Sequence, residues 1–421
     1  MVKTSPSPTG LTAAERLAFA LLWLFVCSFP MEKSVQIAGL GTLSKVLGMG
    51  ALGAGVLAVA IDGRVRTLTR THAVLGAFVL WTAITLRWSL DPEATITKAM
   101  TCLQLLAMVW LIWEFCGEER HVMSLMQAYV VGTLGACISA LVRYETARQT
   151  YYQRYAADGF DPNDFALTLA LSIPLSYALA MRSKGRRAVI YWLQLALVFV
   201  TILLSASRTG FLAACLAASI VPLTFAYTRQ NQKRLLLAGV LAAMLSIAAL
   251  VPATSWHRLA TIGSEVESGS LNERSLIWNS GLETYRSHWL AGVGSGAFPR
   301  SVEPLLGWPS RWVIVAHNTL LSILVETGLC GFLLFASFLA MLVASVWRLA
   351  GVDRIAWLVT LAVWFIGVNT LTWETRKPTW FLFALALTHA RFAEPYVVRF
   401  SRRLAPRDIS QDSLRHAEIG A

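Results

Sequence analysis

The chain is predicted to be an all-α polytopic membrane protein of about twelve transmembrane helices. Three observations carry that expectation. Hydrophobic residues make up 56% of the 421 residues and charged ones only 14%, against roughly 25% charged in a soluble domain. The 16 Trp suit aromatic belts at membrane–water interfaces. A spanning helix needs about 20 apolar residues, and apolar runs of that size recur along the chain with mostly short connections.

The first run, 12–29, has Lys3 and Arg16 before or near its start and no small-residue cleavage site, so it reads as a retained helix and not a signal peptide. Further spans are expected near 37–61, 71–87, 96–115, 122–142, 163–181, 188–204, 208–228, 235–254, 317–347, 355–372 and 379–396. The six Cys lie within or at the ends of apolar stretches without metal-ligand spacing and read as small core residues, not as a disulfide framework.

Charge sets the orientation. Lys+Arg 36 against Asp+Glu 24 gives a net +12, and only seven of the basic residues are Lys. Arg64, Arg66 and Arg70, the run Arg182 to Arg187, the run Arg229 to Arg234, the pair Arg348 and Arg354, and a tail with Arg399, Arg402 and Arg403 all fall on one face of a twelve-span chain. The positive-inside rule makes that face cytoplasmic, with both termini on it.

The opposite face carries arginines that the rule does not explain. Arg143, Arg148 and Arg154 lie among tyrosines in the loop 143–162, and Arg258, Arg274, Arg286, Arg300 and Arg311 lie in the long segment 255–316. An anion is one reason for them, because the planar guanidinium grips phosphate in a bidentate fork. The alternative is that loops of this size translocate regardless of charge.

Three features converge there. Ser205-Ala-Ser-Arg208-Thr-Gly210 joins two spans so tightly that Arg208 is held at the bundle rim, where a charge is costly unless paired or functional; a snorkelling helix-end Arg is the plainer reading. Ser270 and Glu273 fit a capping box ahead of Arg274. Leu271, Trp278, Leu282, Tyr285 and Trp289 then form an apolar stripe that suggests an interfacial helix, with Arg274 in its first turn near free N–H groups. His317-Asn318 opens the tenth span, and His exchanges a proton near neutral pH. Glu326, nine residues on and about 13 Å deeper at 1.5 Å per residue, falls on the opposite helix face and reads as a packing or polar-network residue.

Other chemistries are set aside. Gly292-Val-Gly-Ser-Gly296 has no strand–helix context and reads as a turn. Asp161-Pro-Asn163-Asp164 reads as a turn with Asn163 or Asp164 capping the next helix, with metal binding as the lesser alternative. No serine elbow, Walker loop or zinc motif is visible.

These residues resemble the O-antigen ligase and polymerase family of bacterial envelope proteins. The matching pieces are Leu203 to Gly210, Arg274 to Trp278 running on to Gly292–Phe298, His317 to Gly331, and Asp161 to Ala166. The resemblance covers about 160–345. It implies a GT-C-like glycosyltransferase in the bacterial inner membrane: one transmembrane catalytic domain over 1–396, with 255–316 periplasmic between the ninth and tenth helices, and a basic cytoplasmic tail over 397–421. The donor would be an undecaprenyl-pyrophosphate-linked glycan and the acceptor a lipid A–core hydroxyl, or in polymerases another lipid-linked repeat.

Arg208 and Arg274 would stabilise charge growing on the pyrophosphate, and His317 would be the general base. Arg143, Arg148, Arg154, Asn163, Arg286, Arg300, Arg311 and Asn318 would bind substrate. Direct displacement would invert the anomeric centre. No metal, cofactor or nucleic acid is expected; membrane lipids surround the spans. The rival class is a transporter of an anionic lipid or sugar, which would show internal repeats and broken helices in both halves; the sequence has no such symmetry.

Overall fold

The computed structural model describes residues 2–3, 11–147, 154–228, 230–260, 274–308 and 314–393. The described residues are mostly helical. The first helices are α1 (Ala13–Ser28), α2 (Leu43–Asp62), α3 (Arg70–Ile84), α4 (Pro92–Phe115) and α5 (Glu119–Ala147). Next come α6 (Pro162–Arg182), α7 (Arg186–Leu204), α8 (Arg208–Ala218), the short α9 (Ile220–Thr224), α10 (Gln230–Leu250) and α11 (Ala253–Ala260). The chain continues with α12 (Arg274–Ser287), α13 (Phe298–Leu306), α14 (Thr319–Trp347), α15 (Gly351–Val368) and α16 (Lys377–Ala390). Among the described residues sheet is confined to two-residue pairings, Gln36–Ile37 with Gly41–Thr42 and Val2–Lys3 with Val65–Arg66.

A helix lies at each of the twelve segments expected from the apolar pattern. Among the described residues nine helices are long and apolar enough to cross a membrane. The three others are α10 and the shorter α3 and α16, of 15 and 14 residues. The last is an interior element, buried along nearly its whole length and packed on α4, α5 and α14. The second interior helix is α6, 94% of whose apolar window is buried, against α5, α7, α8 and α15. Such all-round apolar character marks a helix with no solvent or lipid face.

Long-range contacts sort the loops into two ends, as alternating spans require. At one end Arg66 bonds Glu114, Arg391 donates to the Cys116 carbonyl, and Arg182 donates to Glu119 and Asp353. At the other, Ser34 donates to the Asp158 carbonyl, Lys377 pairs with Glu32, and the Leu90 amide donates to the Val293 carbonyl. The cysteines are all unpaired by disulfide, as expected. The basic tail, the Ser270–Glu273 capping box, Arg148 and Arg311 lie outside the described residues.

One span departs from expectation. α14 is broken at Gly328 (φ 65°, ψ −172°), and residues 289–296 fill the break. Val293 N–H donates to the Val325 carbonyl, Gly294 N–H to Glu326, and in return Leu329 and Cys330 N–H donate to Trp289 and Leu290. Backbone groups freed in a spanning helix must find partners inside the protein; here residues 289–294 of the chain supply them.

Candidate active site

The end that carries Ser34, Leu90 and Glu32 gathers the predicted motifs. Helix α6 starts at Pro162, and its cap is Asp161, not Asn163 or Asp164: the amides of both donate to Asp161 Oδ1, at 2.8 and 3.3 Å. Pro162 at the first helical position leaves the extended Asp161 as the residue able to cap. Asn163 is thereby free to turn outward. Its Oδ1 accepts from Arg154 Nη2 at 2.7 Å and from Ser207 Oγ at 2.9 Å. Arg154 Nε also donates to the Ser205 carbonyl.

Ser207 does double duty as the N-cap of α8, accepting from the Gly210 amide. Arg208 is therefore the first residue of that helix, half-buried, on a turn that Asn163 and Arg154 hold in place. Gly210 is required there: a Cβ would lie 2.2 Å from the Ala166 Cβ.

Asp164 points elsewhere. It accepts from Trp373 Nε1 and Arg376 Nη2, both at 2.9 Å, and lies 3.7 Å from Lys33 Nζ. With these cations and an indole satisfying it, the 161–164 turn is an ion-pair hub, and the metal alternative finds no support in the donor set.

His317 sits across from this hub. Burial pushes its pKa below the ordinary histidine value, the Arg274 guanidinium pushes it the same way, and Asp161 and Asp164 act in opposition. All three charges are thus within electrostatic reach of the imidazole. Asn318 Oδ1 caps α14 by accepting from the Leu321 amide. Trp278 Nε1 on α12 donates to the Ala316 carbonyl at 2.9 Å, which fixes the Arg274 helix beside His317.

Among the described residues two non-glycine residues have positive φ, Ala206 and His317, both at 47°. Non-glycine residues held there are uncommon, and such strain collects at functional sites. Here one lies two residues before Arg208 and the other is the candidate base.

Other predicted residues lie apart. Arg143 pairs with Asp158 at 3.1 Å on the surface, and Arg300 with Glu303 at 3.1 Å. Arg286 is exposed in the last turn of α12. No hydrogen bond or ion pair among the described residues joins Arg286 or Arg300 to the His317 cluster. On α12 the apolar stripe is divided: Trp278 and Tyr285 are partly buried, and Leu282 and Trp289 lie on the surface. Ile277, Ser280, Gly281 and Thr284 form the buried face of the helix. Small residues let the helix approach closely, with Gly281 against Phe298 and Leu321. His72 is structural, bonding Thr69 and packing on Trp113.

The Gly292–Gly296 turn is a docking element. All five of its amides are used, by the carbonyls of His288, Val325 and Glu326, by Thr85 Oγ1 and by Glu326 Oε2. None remains to cradle a phosphate. Glu326 is the polar-network residue expected: Lys98 Nζ lies 2.6 Å from both Glu326 Oε2 and Glu374 Oε1, with Ser322 donating to Glu374.

At the arginine-rich end Glu119, Asp353 and His389 bring ligand atoms within 4.8 Å of one another. Arg182 donates to both carboxylates. Trp357 Nε1 donates to His389 Nδ1 at 2.8 Å, which places the imidazole proton on Nε2 and removes the lone pair that would face a cation. That cluster is built around a guanidinium, not a metal.

Sequence reasoning missed Asp164, Arg376, Lys98 and Glu374. Arg376 and Lys377 were visible as cations in the 373–378 turn on the outer face; the Lys98 contacts span 228 and 276 residues and leave no local signature.

No match to a curated protein was found. Residues 193–336 match the family model described as O-antigen ligase, a stretch that runs from α7 past the break in α14, and over that stretch the chain is similar to this family.

Proposed function

We propose that the protein is an O-antigen ligase, moving a glycan from undecaprenyl pyrophosphate to a hydroxyl of lipid A–core at the periplasmic face of the bacterial inner membrane. The observation that carries this reading is the convergence of Arg274, the Arg208 turn and His317 on the Asp161–Asp164 hub.

In this reaction His317 accepts the proton of the acceptor hydroxyl. A depressed pKa keeps the imidazole neutral, and thus basic, at neutral pH. The acceptor oxygen forms its bond to the anomeric carbon as the bond from that carbon to the pyrophosphate oxygen breaks. The lipid pyrophosphate leaves with its new charge facing Arg208 and Arg274, and the anomeric centre inverts. Preorganised positive groups aimed at developing charge are often the largest catalytic contribution. Two arginines at the phosphates make a divalent ion unnecessary. Arg154 and Asn163 hold the Arg208 turn; Arg143, Arg148, Arg286, Arg300 and Arg311 are glycan or phosphate contacts of the outer rim.

A polymerase of the same family would use the same groups on another lipid-linked acceptor. A transporter would cite the broken α14, but the freed backbone groups there are bonded to residues 289–294 and offer no ion site. The lipopolysaccharide ladder of a deletion strain separates these readings. A ligase leaves lipid-linked polymer unattached to core, whereas a polymerase leaves core with a single repeat. Purified protein with defined donor and acceptor, in excess chelator, then tests transfer itself; loss of turnover restored by Mg²⁺ overturns the metal-free reaction.

A further inference from the structure

Helices α1, α2 and α4 and the 375–377 turn enclose a cavity of about 460 Å³ whose lining includes none of His317, Arg208 and Arg274. Its wall is graded along the helix axes. At the outer rim stand Lys45, Arg376 and Lys377, with Glu32 as the one carboxylate of the lining. Deeper come Phe25, Met49 and Leu52, and on α4 Leu105, Met108 and Leu111 lie below Thr101 and Gln104. From the Thr42 cap to Leu52 the gradient spans about 15 Å at 1.5 Å per residue.

Two further features mark the rim for an anion. The α16 N-terminus, at Arg376, carries no side-chain cap, and the positive end of the helix dipole lies at this rim. Ser44, fully buried in the cavity wall, has a hydroxyl with no hydrogen-bond partner. Cations above and hydrocarbon below are complementary to an amphiphile, not to a free ion.

The geometry points to a second lipid site, for an anionic lipid whose phosphate-bearing head meets Lys45, Arg376 and Lys377 and whose hydrocarbon chain lies against Leu52, Leu105 and Met108. Arg376 also holds Asp164, so an occupied site sits one residue from the hub that faces His317.

Native mass spectrometry of the full chain, released from nanodiscs of equal phosphatidylglycerol and phosphatidylcholine, tests it. Phosphatidylglycerol is retained in preference, and Lys45→Ala lowers that preference by roughly fivefold, the worth of one cation near an anionic headgroup. Leu105→Trp, which fills the floor, abolishes retention of either lipid while leaving the thermal transition in place. Equal retention of both lipids by the wild type, or an unchanged preference in Lys45→Ala, overturns the site. Displacement of the lipid by millimolar inorganic phosphate alone overturns it as well, since it reduces the rim to a simple anion patch. Lys45 is exposed at the start of α2, so its variant folds even if Leu105→Trp does not.

Discussion

The indole N–H of Trp278 donates to the carbonyl oxygen of Ala316 at 2.9 Å, fastening the helix that opens with Arg274 to the residue before His317. The two groups come from segments about 40 residues apart, and this bond fixes how the positive charge and the imidazole face each other. Trp278→Phe keeps an aromatic ring, though a smaller one, and deletes the donor. With a hydrogen bond worth about 0.5–1.5 kcal/mol net, kcat should fall by up to roughly tenfold with KM nearly unchanged, read in single-turnover transfer assays. An unaltered kcat would show that the helix is held without it.

His317→Ala should lower kcat on the order of 10²–10⁴-fold, the usual contribution of a general base, in protein whose melting curve matches wild type. Arg208→Lys keeps the charge and loses the planar fork, so turnover should drop by roughly tenfold or more if the phosphate is gripped by two parallel bonds. Near-normal turnover in Arg208→Lys would return that residue to a structural role.

The acid limb of kcat/KM should report His317. Protonation removes the base, so activity is lost as pH falls through a pKa held below the ordinary histidine value by burial and by Arg274. Asp164→Asn deletes a negative charge that favours the protonated form and should shift the limb to lower pH. Arg274→Gln should shift whatever activity remains the opposite way. Profiles that do not move in these two directions would remove His317 from the reaction.

Gly328→Ala places a Cβ 2.4 Å from the Leu290 carbonyl oxygen, and Gly294→Ala one 2.2 Å from Ser89 Oγ, both at positive φ. The left-handed backbone costs about 1–2 kcal/mol and the overpacking about 1–3 more. Both variants should melt well below wild type in detergent. Gly50→Ala, in the exposed interior of α2 with open space around it, should instead gain about 0.5–1 kcal/mol.

Lys98→Met leaves Glu326 and Glu374, each with a nearly buried side chain, without their shared cation. Breaking one partner of a buried ion group costs about 3–5 kcal/mol. Adding Glu326→Gln and Glu374→Gln should restore most of it. Thermal unfolding of the single and triple variants decides whether the cluster acts as one unit.

Hydropathy alone placed a helix at each of twelve positions, because an apolar run of that length in so uncharged a chain has few other homes. The arginines of the outer face were equally legible as an exception to a charge rule. What could not be read was carried by backbone or by distance. The pairing of 289–294 with 325–330 uses amides and carbonyls, which every sequence has, and only the spacing of Gly292, Gly294, Gly296 and Gly328 hints at it. The cap of α6 was placed two or three residues late because Asp161, Asn163 and Asp164 are all good caps, and Pro162 decides among them. The sequence reads Asp164 as turn chemistry because Arg376, Trp373 and Lys33, which engage it, lie far along the chain.

The break at Gly328 also constrains how the chain is made. Residues 289–294 precede α14 in synthesis, yet the helix cannot satisfy its own amides at Leu329 and Cys330 until that stretch has reached the same side of the bilayer and folded back. Each amide left bare in hydrocarbon costs several kcal/mol. The two halves of α14 therefore depend on a stretch outside the helix for their backbone pairing, so residues 289–294 are as much a part of that helix as its own turns.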